Sequence, residues 1–555
     1  MKLNKNLIII SILFVTSFFV SIFFSYHGYF VLYSDAPVHF SRFESIAEAF
    51  KHGQFPGPVN FIGPTTGQIF TTMYPWTTAL IFILPRVLFT NPVVAMFIGY
   101  FILNLLTMMN SYYLLKKYSN KTLAIMGGVF LYELNLYHLD DLFSRAALGE
   151  ALAYAFLPLV LLGCKCLIEG SLLKGSLITG LGVGLIFNSH VLFSLLVVAY
   201  VIALELLRIL TRKSSIKEFE AFVSSGVISV LIGAYSIVNL LNIFLKNELS
   251  TPSWGKIVTN TPKAYVEATL SNSMVITDGI NFGLPMFVIM LALFVQIFRS
   301  NGGKWVKWTV LSIIMFTLSL SWIPYEQLHL DKTILVNLQT AARLYCFVAL
   351  FLSIALVVYL DGVSYNNLKK VSYVCMASFA FFGASAEILA YNGADNYAQI
   401  SNQTKFSKNS YSTIVNRGTF ADWDYRQKIV DSYGAGLYKL KLSNRENTFD
   451  ATTFTVHTKR SGTALVPFFI FKGIDYKTYL NGKEIQVNKN YGVLSVNLKE
   501  GENQIKVVAR PSFLNKLTML VSVIAFIVIC VWITLINFRS LHGGLNAVKG
   551  DLKLS

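Results

Sequence analysis

Long apolar runs separated by short polar loops occupy most of the chain up to residue 391, and one further run follows at 514–537. Runs of this kind suit a hydrocarbon core about 30 Å thick, which a helix of roughly 20 apolar residues crosses. They fall at 7–30, 92–115, 122–138, 151–168, 175–189, 190–210, 221–245, 283–298, 306–323, 342–361, 371–391 and 514–537, which predicts twelve membrane helices. The first run follows Lys2 and Lys5 with no small-residue cleavage site after it, so it reads as a retained signal anchor. Segment 76–90 is short, carries Pro85 and Arg86 and lies between Pro75 and Pro92; it reads as an interfacial or re-entrant helix. Between 392 and 511 the pattern changes to strand-like alternation, as in Thr452–His457, Ile485–Val487 and Val493–Leu498. Asn481-Gly482 between two such stretches is a hairpin signal, and Glu500–Asn503 reads as a second turn before a last strand at Gln504–Ala509. The expectation there is a small antiparallel β-sandwich.

Composition agrees with a polytopic α-helical membrane protein: 54% of the 555 residues are hydrophobic and 14% charged, with mean hydropathy +0.55. The net charge of +17 does not point to nucleic acid, because the basic residues gather in short loops between apolar runs. With 76–90 lying along the surface, the clusters around Lys2, Lys116, Lys165, Arg208, Arg299, Lys369 and Arg539 all fall on one side, which the orientation bias makes cytoplasmic. Both termini are then cytoplasmic. The expected division is a transmembrane domain at 1–391 with an outer loop at 34–91, an extracellular β-rich domain at 392–511, a final membrane helix at 512–538 and a cytoplasmic tail at 539–555. The β-rich segment carries a net +7, suited to anionic lipid or wall polymer and equally to a plain solvated surface. Trp423, Tyr425, Tyr476 and Tyr479 fit sugar stacking or ordinary packing. The five cysteines lie in apolar segments without metal-site spacing, and read as small buried hydrophobes.

Chemistry concentrates where this topology meets the outer surface. Asp35, His39 and Arg42 follow the first helix; Arg145 and Glu150 precede another; His190 occupies a helical hairpin; Gln339 and Arg343, four apart, enter a further span. Ionisable groups are costly near hydrocarbon and mark sites more often than decoration. A carboxylate can deprotonate a hydroxyl or hold a divalent ion, and guanidinium groups bind phosphate oxygens. Together they suit transfer from a lipid-linked phosphate donor to a hydroxyl acceptor. Plainer readings stand beside this one. Arg145 also fits a lipid head-group contact or a pair with Asp141, Glu150 a structural partner of Arg145, and His190 a hairpin cap. Glu387, near the outer end of its span, reads as a structural pair or a pore-facing residue rather than a catalyst. No Walker-type Gly-Lys-Ser/Thr, His-Glu-x-x-His or Gly-x-Ser-x-Gly sequence occurs, and Gly180, Gly182 and Gly184 read as helix-packing positions.

Asp35-x3-His39-x2-Arg42, His52–Pro56 and Met73-Tyr74-Pro75 resemble the first outer loop of bacterial GT-C-type membrane glycosyltransferases. The likeness is to the group called YfhO-like, or 6-pyruvoyl-tetrahydropterin synthase-related, membrane proteins. Ser144–Ala147 with Glu150 and Pro158, and Gln339-x3-Arg343, resemble further segments of that group, as do Pro467–Gly473, Leu480–Lys483 and Glu500–Ile505. The resemblance implies Asp35 as catalytic base or metal ligand, with Mg²⁺ or Mn²⁺ as the candidate ion. It also implies a polyprenyl-phosphate-linked sugar donor and a cell-envelope acceptor such as a teichoic or lipoteichoic acid. Arg145, Arg343 and His190 would meet the donor phosphate, and His39, Arg42, Glu150 and Gln339 would orient substrate. Asp35 stands alone rather than in a tandem acidic pair. A transporter or flippase of lipid-linked sugars, and a non-catalytic wall-polymer-binding scaffold, are the alternatives.

Overall fold

The computed structural model describes residues 5–23, 25, 27–62, 67, 69–247, 256–274, 279–300, 302–392, 399–401, 442–486 and 493–551. Among these, seven helices are long and apolar enough to cross a membrane: Asn6–Phe23, Pro92–Leu115, Leu148–Ile168, Val191–Leu210, Ala341–Asp361, Tyr365–Ala390 and Phe513–Phe538. The chain therefore has the build of a helical membrane protein, with fewer full-length spans than the twelve expected. Four expected spans are shorter helices, Thr122–Glu133, Leu172–Phe187, Leu284–Arg299 and Val306–Ser319. At 1.5 Å per residue these reach roughly 18–24 Å, short of a full hydrocarbon core. The Leu80–Leu88 helix in segment 76–90 has nine residues and is shorter still.

The expected span at 221–245 is instead two helices, Ile216–Ile232 and Ala234–Lys246, bent by 73° at Gly233. A break frees backbone groups that lipid cannot satisfy, and both are caught. Asn188 donates to the Ile232 carbonyl at 2.9 Å, and the Tyr235 N–H donates to Ser522 Oγ at 2.9 Å. The first helix likewise stops at Phe23 rather than 30, since Tyr29–Val31 forms strand β1 against β2, Gln399–Ser401. That antiparallel ribbon delivers the chain to Asp35.

The two most enclosed spans are Leu148–Ile168 and Ala341–Asp361, 83% and 89% buried against 56% or less for the other five. Small residues bring the neighbours of the first in close. A Cβ at Gly163 would lie 2.4 Å from the Thr179 backbone, and one at Gly180 2.5 Å from Ile228. The glycine run in Leu172–Phe187 is thus a packing surface.

The C-terminal region holds a five-stranded antiparallel sheet ordered β3 (Leu442–Asn447), β4 (Ala451–Thr458), β9 (Gly501–Arg510), β6 (Asp475–Leu480), β7 (Lys483–Ile485). A second sheet pairs β5 (Gly462–Phe469) with β8 (Val493–Leu498). Phe454, Val466, Leu494 and Ile505 bring both sheets into one apolar core, which Val59, Phe61 and Ile69 of the first loop and Ile243 also join. Asn481 and Gly482, both left-handed, turn β6 into β7 as a two-residue hairpin. Glu502 and Asn503, expected in a turn, instead pair along β9 with His457 and Val456. Trp423 and Tyr425 lie outside the described residues.

Candidate functional site

All eight residues singled out in the sequence meet in one cluster. Asp35 precedes the amphipathic helix Ala36–Lys51, which carries His39 and Arg42 on successive turns. Arg145 follows the π-helical turn Asp140–Ser144, a local widening common at functional sites. Glu150 lies in the first turn of Leu148–Ile168, His190 caps Val191–Leu210, and Arg343 stands two residues before the helix Tyr345–Asp361. The Asp35 N–H donates to the Arg145 carbonyl at 3.0 Å, joining the first two segments directly.

Glu150 is the hub. Fully buried, it accepts from Tyr137 Oη at 2.6 Å on one oxygen, and from Arg343 Nε at 3.1 Å and Arg145 Nη2 at 3.3 Å on the other. Arg145 Nη1 also donates to Asp141 at 2.5 Å. Arg343 Nη1 donates to the Leu338 carbonyl at 2.6 Å and to Gln339 Oε1 at 3.0 Å. The structural pairings weighed for Arg145 and Glu150 are therefore present. So is the cap at His190, whose Nδ1 accepts from the Phe193 N–H at 3.0 Å; the neutral ring then carries its proton on Nε2.

A second group sits beside this hub. Arg42 Nη1 donates to the Tyr74 carbonyl at 3.1 Å, and Nη2 lies 3.2 Å from His39 Nδ1. The guanidinium stands 4.6 Å from the Tyr74 ring centroid. His39 and His190 meet that ring edge-on from 5.0 and 5.5 Å. A Cβ at Gly149 would lie 2.8 Å from Tyr74 Oη, which seats the phenol against the first turn bearing Glu150.

Burial sorts the cluster into two layers. His39, Arg42, Arg145, Glu150, His190 and Arg343 are buried, while Ser34, Asp35, Tyr74 and Gln339 keep partial exposure. Among the described residues Asp35 forms no ion pair. Burial raises its carboxyl above the ordinary 3.8, Arg145 and Arg343 pull it back down, and Glu150 adds to the rise. Asp140, buried behind Arg145, is pushed up to about 7 by burial, against the pull of Arg145. Backbone strain gathers here too: Ser34, Ala146 and Gln339 have φ of 33°, 49° and 60°, three of eight such non-glycine residues described. Each costs conformational energy that surrounding contacts must hold in place, and such residues collect at functional sites.

The donor set around Asp35 does not fit a resident Mg²⁺ or Mn²⁺ ion. No three His, Cys, Asp or Glu side chains gather for a metal among the described residues. Both Glu150 oxygens are taken by hydrogen bonds, and two guanidinium groups flank the carboxylate, where a cation would be repelled.

The sequence places Tyr74 in the Met73-Tyr74-Pro75 likeness without giving it a role, and marks Asp141 only as a structural partner of Arg145. Asp141 was signalled by its four-residue offset from Arg145. Tyr74 had no such local signal, since its partners lie 32 residues or more away or are brought in by Gly149. No known family model matches the chain, and no curated protein matches it.

Proposed function

We propose that this protein is an integral-membrane glycosyltransferase of GT-C-like architecture. In this reading the chain crosses the bilayer twelve times with both termini cytoplasmic, the shorter helices and the bent pair serving as spans. The Asp35 cluster and the β-rich domain then face outward. The donor is a polyprenyl-phosphate-linked sugar, and the acceptor is a hydroxyl of a cell-envelope polymer such as a teichoic or lipoteichoic acid, held near the basic β-rich domain.

One observation carries the reading. Asp35 is a partly exposed carboxylate free of ion pairs among the described residues, in a cluster whose other acidic hub, Glu150, is fully engaged. A base needs an open lone pair and a proton affinity above that of an ordinary aspartate, and burial supplies the second. Asp35 takes the proton of the acceptor hydroxyl as its oxygen attacks the anomeric carbon. The bond from that carbon to the phosphate oxygen breaks, and the lipid phosphate leaves with the electron pair. A single displacement inverts the anomeric centre. Arg145 and Arg343, locked onto Glu150, hold that carboxylate and the cluster behind the reacting atoms in one geometry without reorganising. No step is assigned to a metal ion.

The test is Asp35→Asn in the full-length protein, followed by sugar analysis of envelope polymers and transfer assays in membranes. Loss of a general base costs about 10²–10⁴ in rate, and donor binding and folding are expected to persist. Unchanged envelope sugar content in that variant overturns the assignment of the base. A chain that moves lipid-linked sugar across vesicles without transferring it overturns the enzyme reading in favour of a transporter.

A further inference from the structure

Of the three guanidinium groups in the cluster, two are neutralised within the protein and one is not. Arg145 faces Glu150 and Asp141, and Arg343 faces Glu150. Arg42 is 1% exposed yet has no carboxylate within ion-pair distance among the described residues, and its buried Nε has no hydrogen-bond partner. The Tyr74 ring at 4.6 Å and the Phe43 ring at 5.3 Å give it only cation–π support. Burial of an uncompensated cation is costly, and burial accordingly lowers the Arg42 pKa to about 10, where it is still charged at neutral pH. A buried charge kept without a counter-charge among the described residues implies an anion that arrives from outside.

The neighbouring side chains carry donor protons. Arg42 can only donate, so its contact makes His39 Nδ1 an acceptor and leaves the imidazole proton on Nε2. His190 is fixed in the same tautomer by its cap. The Tyr74 hydroxyl makes no hydrogen bond among the described residues and is the partly exposed member of the group. Burial, and next the Asp35 carboxylate, raise its pKa, so it stays protonated and able to donate. Asp35 close by opposes a highly charged ligand, so one negative charge suits the position better than two or three.

We propose that Arg42, His39 and Tyr74 form a subsite for the singly charged oxygen of a phosphate diester, with Tyr74 donating directly and Arg42 acting through His39. The subsite deepens the transferase reading and rests on it for its purpose, although binding itself is measurable without any reaction. It moves phosphate recognition away from Arg145 and Arg343, whose charges are already met.

The experiment uses the full chain in phosphatidylcholine nanodiscs, with the thermal midpoint as readout. Dimethyl phosphate is the soluble diester probe and dihexadecyl phosphate, doped into the disc, the lipid one. Ligand binding to the folded state raises the midpoint saturably. Saturation by the lipid probe alone assigns the subsite to a lipid-linked phosphate, and saturation by both assigns it to the diester group itself. Arg42→Met is expected to raise the midpoint without ligand, by removing the uncompensated charge, and to weaken binding about tenfold or more. Tyr74→Phe is expected to weaken binding by a smaller factor with the unliganded midpoint unchanged, which keeps the test decisive if Arg42→Met fails to fold. No midpoint rise in the wild type with either probe, or wild-type affinity in both variants, overturns the subsite. Phosphate binding that depends on Arg42 in a protein that transfers no sugar sinks the transferase reading and leaves the subsite standing.

Discussion

Replacing Glu150 by Gln tests whether the hub is held by charge. The carboxylate accepts three hydrogen bonds in a fully buried position. Glutamine keeps one acceptor oxygen, so the least costly arrangement leaves that oxygen to Arg145 and Arg343 and turns its amide toward Tyr137. The amide N–H can then donate to Tyr137 Oη, so that contact reverses direction rather than disappearing. Both guanidinium groups stay charged and lose their shared counter-charge, which leaves Arg343 with no carboxylate among the described residues. The expected loss is about 3–5 kcal/mol, the range typical for removing one partner of a buried pair. Equilibrium unfolding in mixed micelles should show that loss. A cycle with Arg343→Met should show coupling, the double variant being more stable than the two single losses added together. A Glu150→Gln protein within about 0.5 kcal/mol of wild type, the range of neutral surface changes, would refute the claim that this carboxylate organises the cluster.

Other outcomes follow from the same geometry. Gly149→Ala places a methyl group 2.4 Å from Tyr74 Cε1 and 2.9 Å from the Ser189 carbonyl; displacement of Tyr74 should lower sugar transfer, while an unaltered rate would show that the phenol's position is immaterial. Asp140 has its folded pKa raised to about 7 from 3.8, so its contribution favours folding at low pH and is lost as pH rises through that interval. Asp140→Asn should therefore remove a fall of about 1.4 kcal/mol per unit between pH 5 and 7, read from unfolding curves at each pH. Glu44 receives Arg86 Nε at 2.7 Å and Nη2 at 2.9 Å, both side chains buried. Glu44→Ala should cost about 3–5 kcal/mol, and Glu44→Leu with Arg86→Met should recover part of it; no recovery would mean that the pair does more than neutralise itself.

Much of this was legible in the residues. Val493–Leu498 is a strand at the expected bounds, and Asn481-Gly482 forms the expected hairpin, because turn chemistry and alternation are local. The eight candidate residues could be gathered in advance because most of them stand near helix starts. Their pairings could not, since which guanidinium faces which carboxylate depends on the direction of each side chain after packing. Arg343 and Glu150 are 193 residues apart. The bend at Gly233 was equally hidden, because hydropathy continues unbroken through it and the groups that satisfy it, Asn188 and Ser522, come from distant segments. The expected spans 7–30, 122–138 and 306–323 overrun their helices because apolar loop residues extend a hydropathy run beyond the last hydrogen-bonded turn, whereas Leu148–Ile168 and Tyr365–Asn392 start earlier than their apolar runs.

The ribbon of β1 and β2 carries a last consequence. Tyr29, Phe30 and Val31 are zipped to Ser401, Ile400 and Gln399, and Tyr33 Oη donates to the Ala390 carbonyl at 2.5 Å. The chain is thereby closed on itself a few residues before Asp35, with both strands of the closure on opposite sides of the boundary that hydropathy draws at 391. A protein cut at that boundary loses one edge of the ribbon from each fragment. The two halves are then not modules to be expressed apart: Asp35 hangs from a clasp whose other side lies in the C-terminal portion.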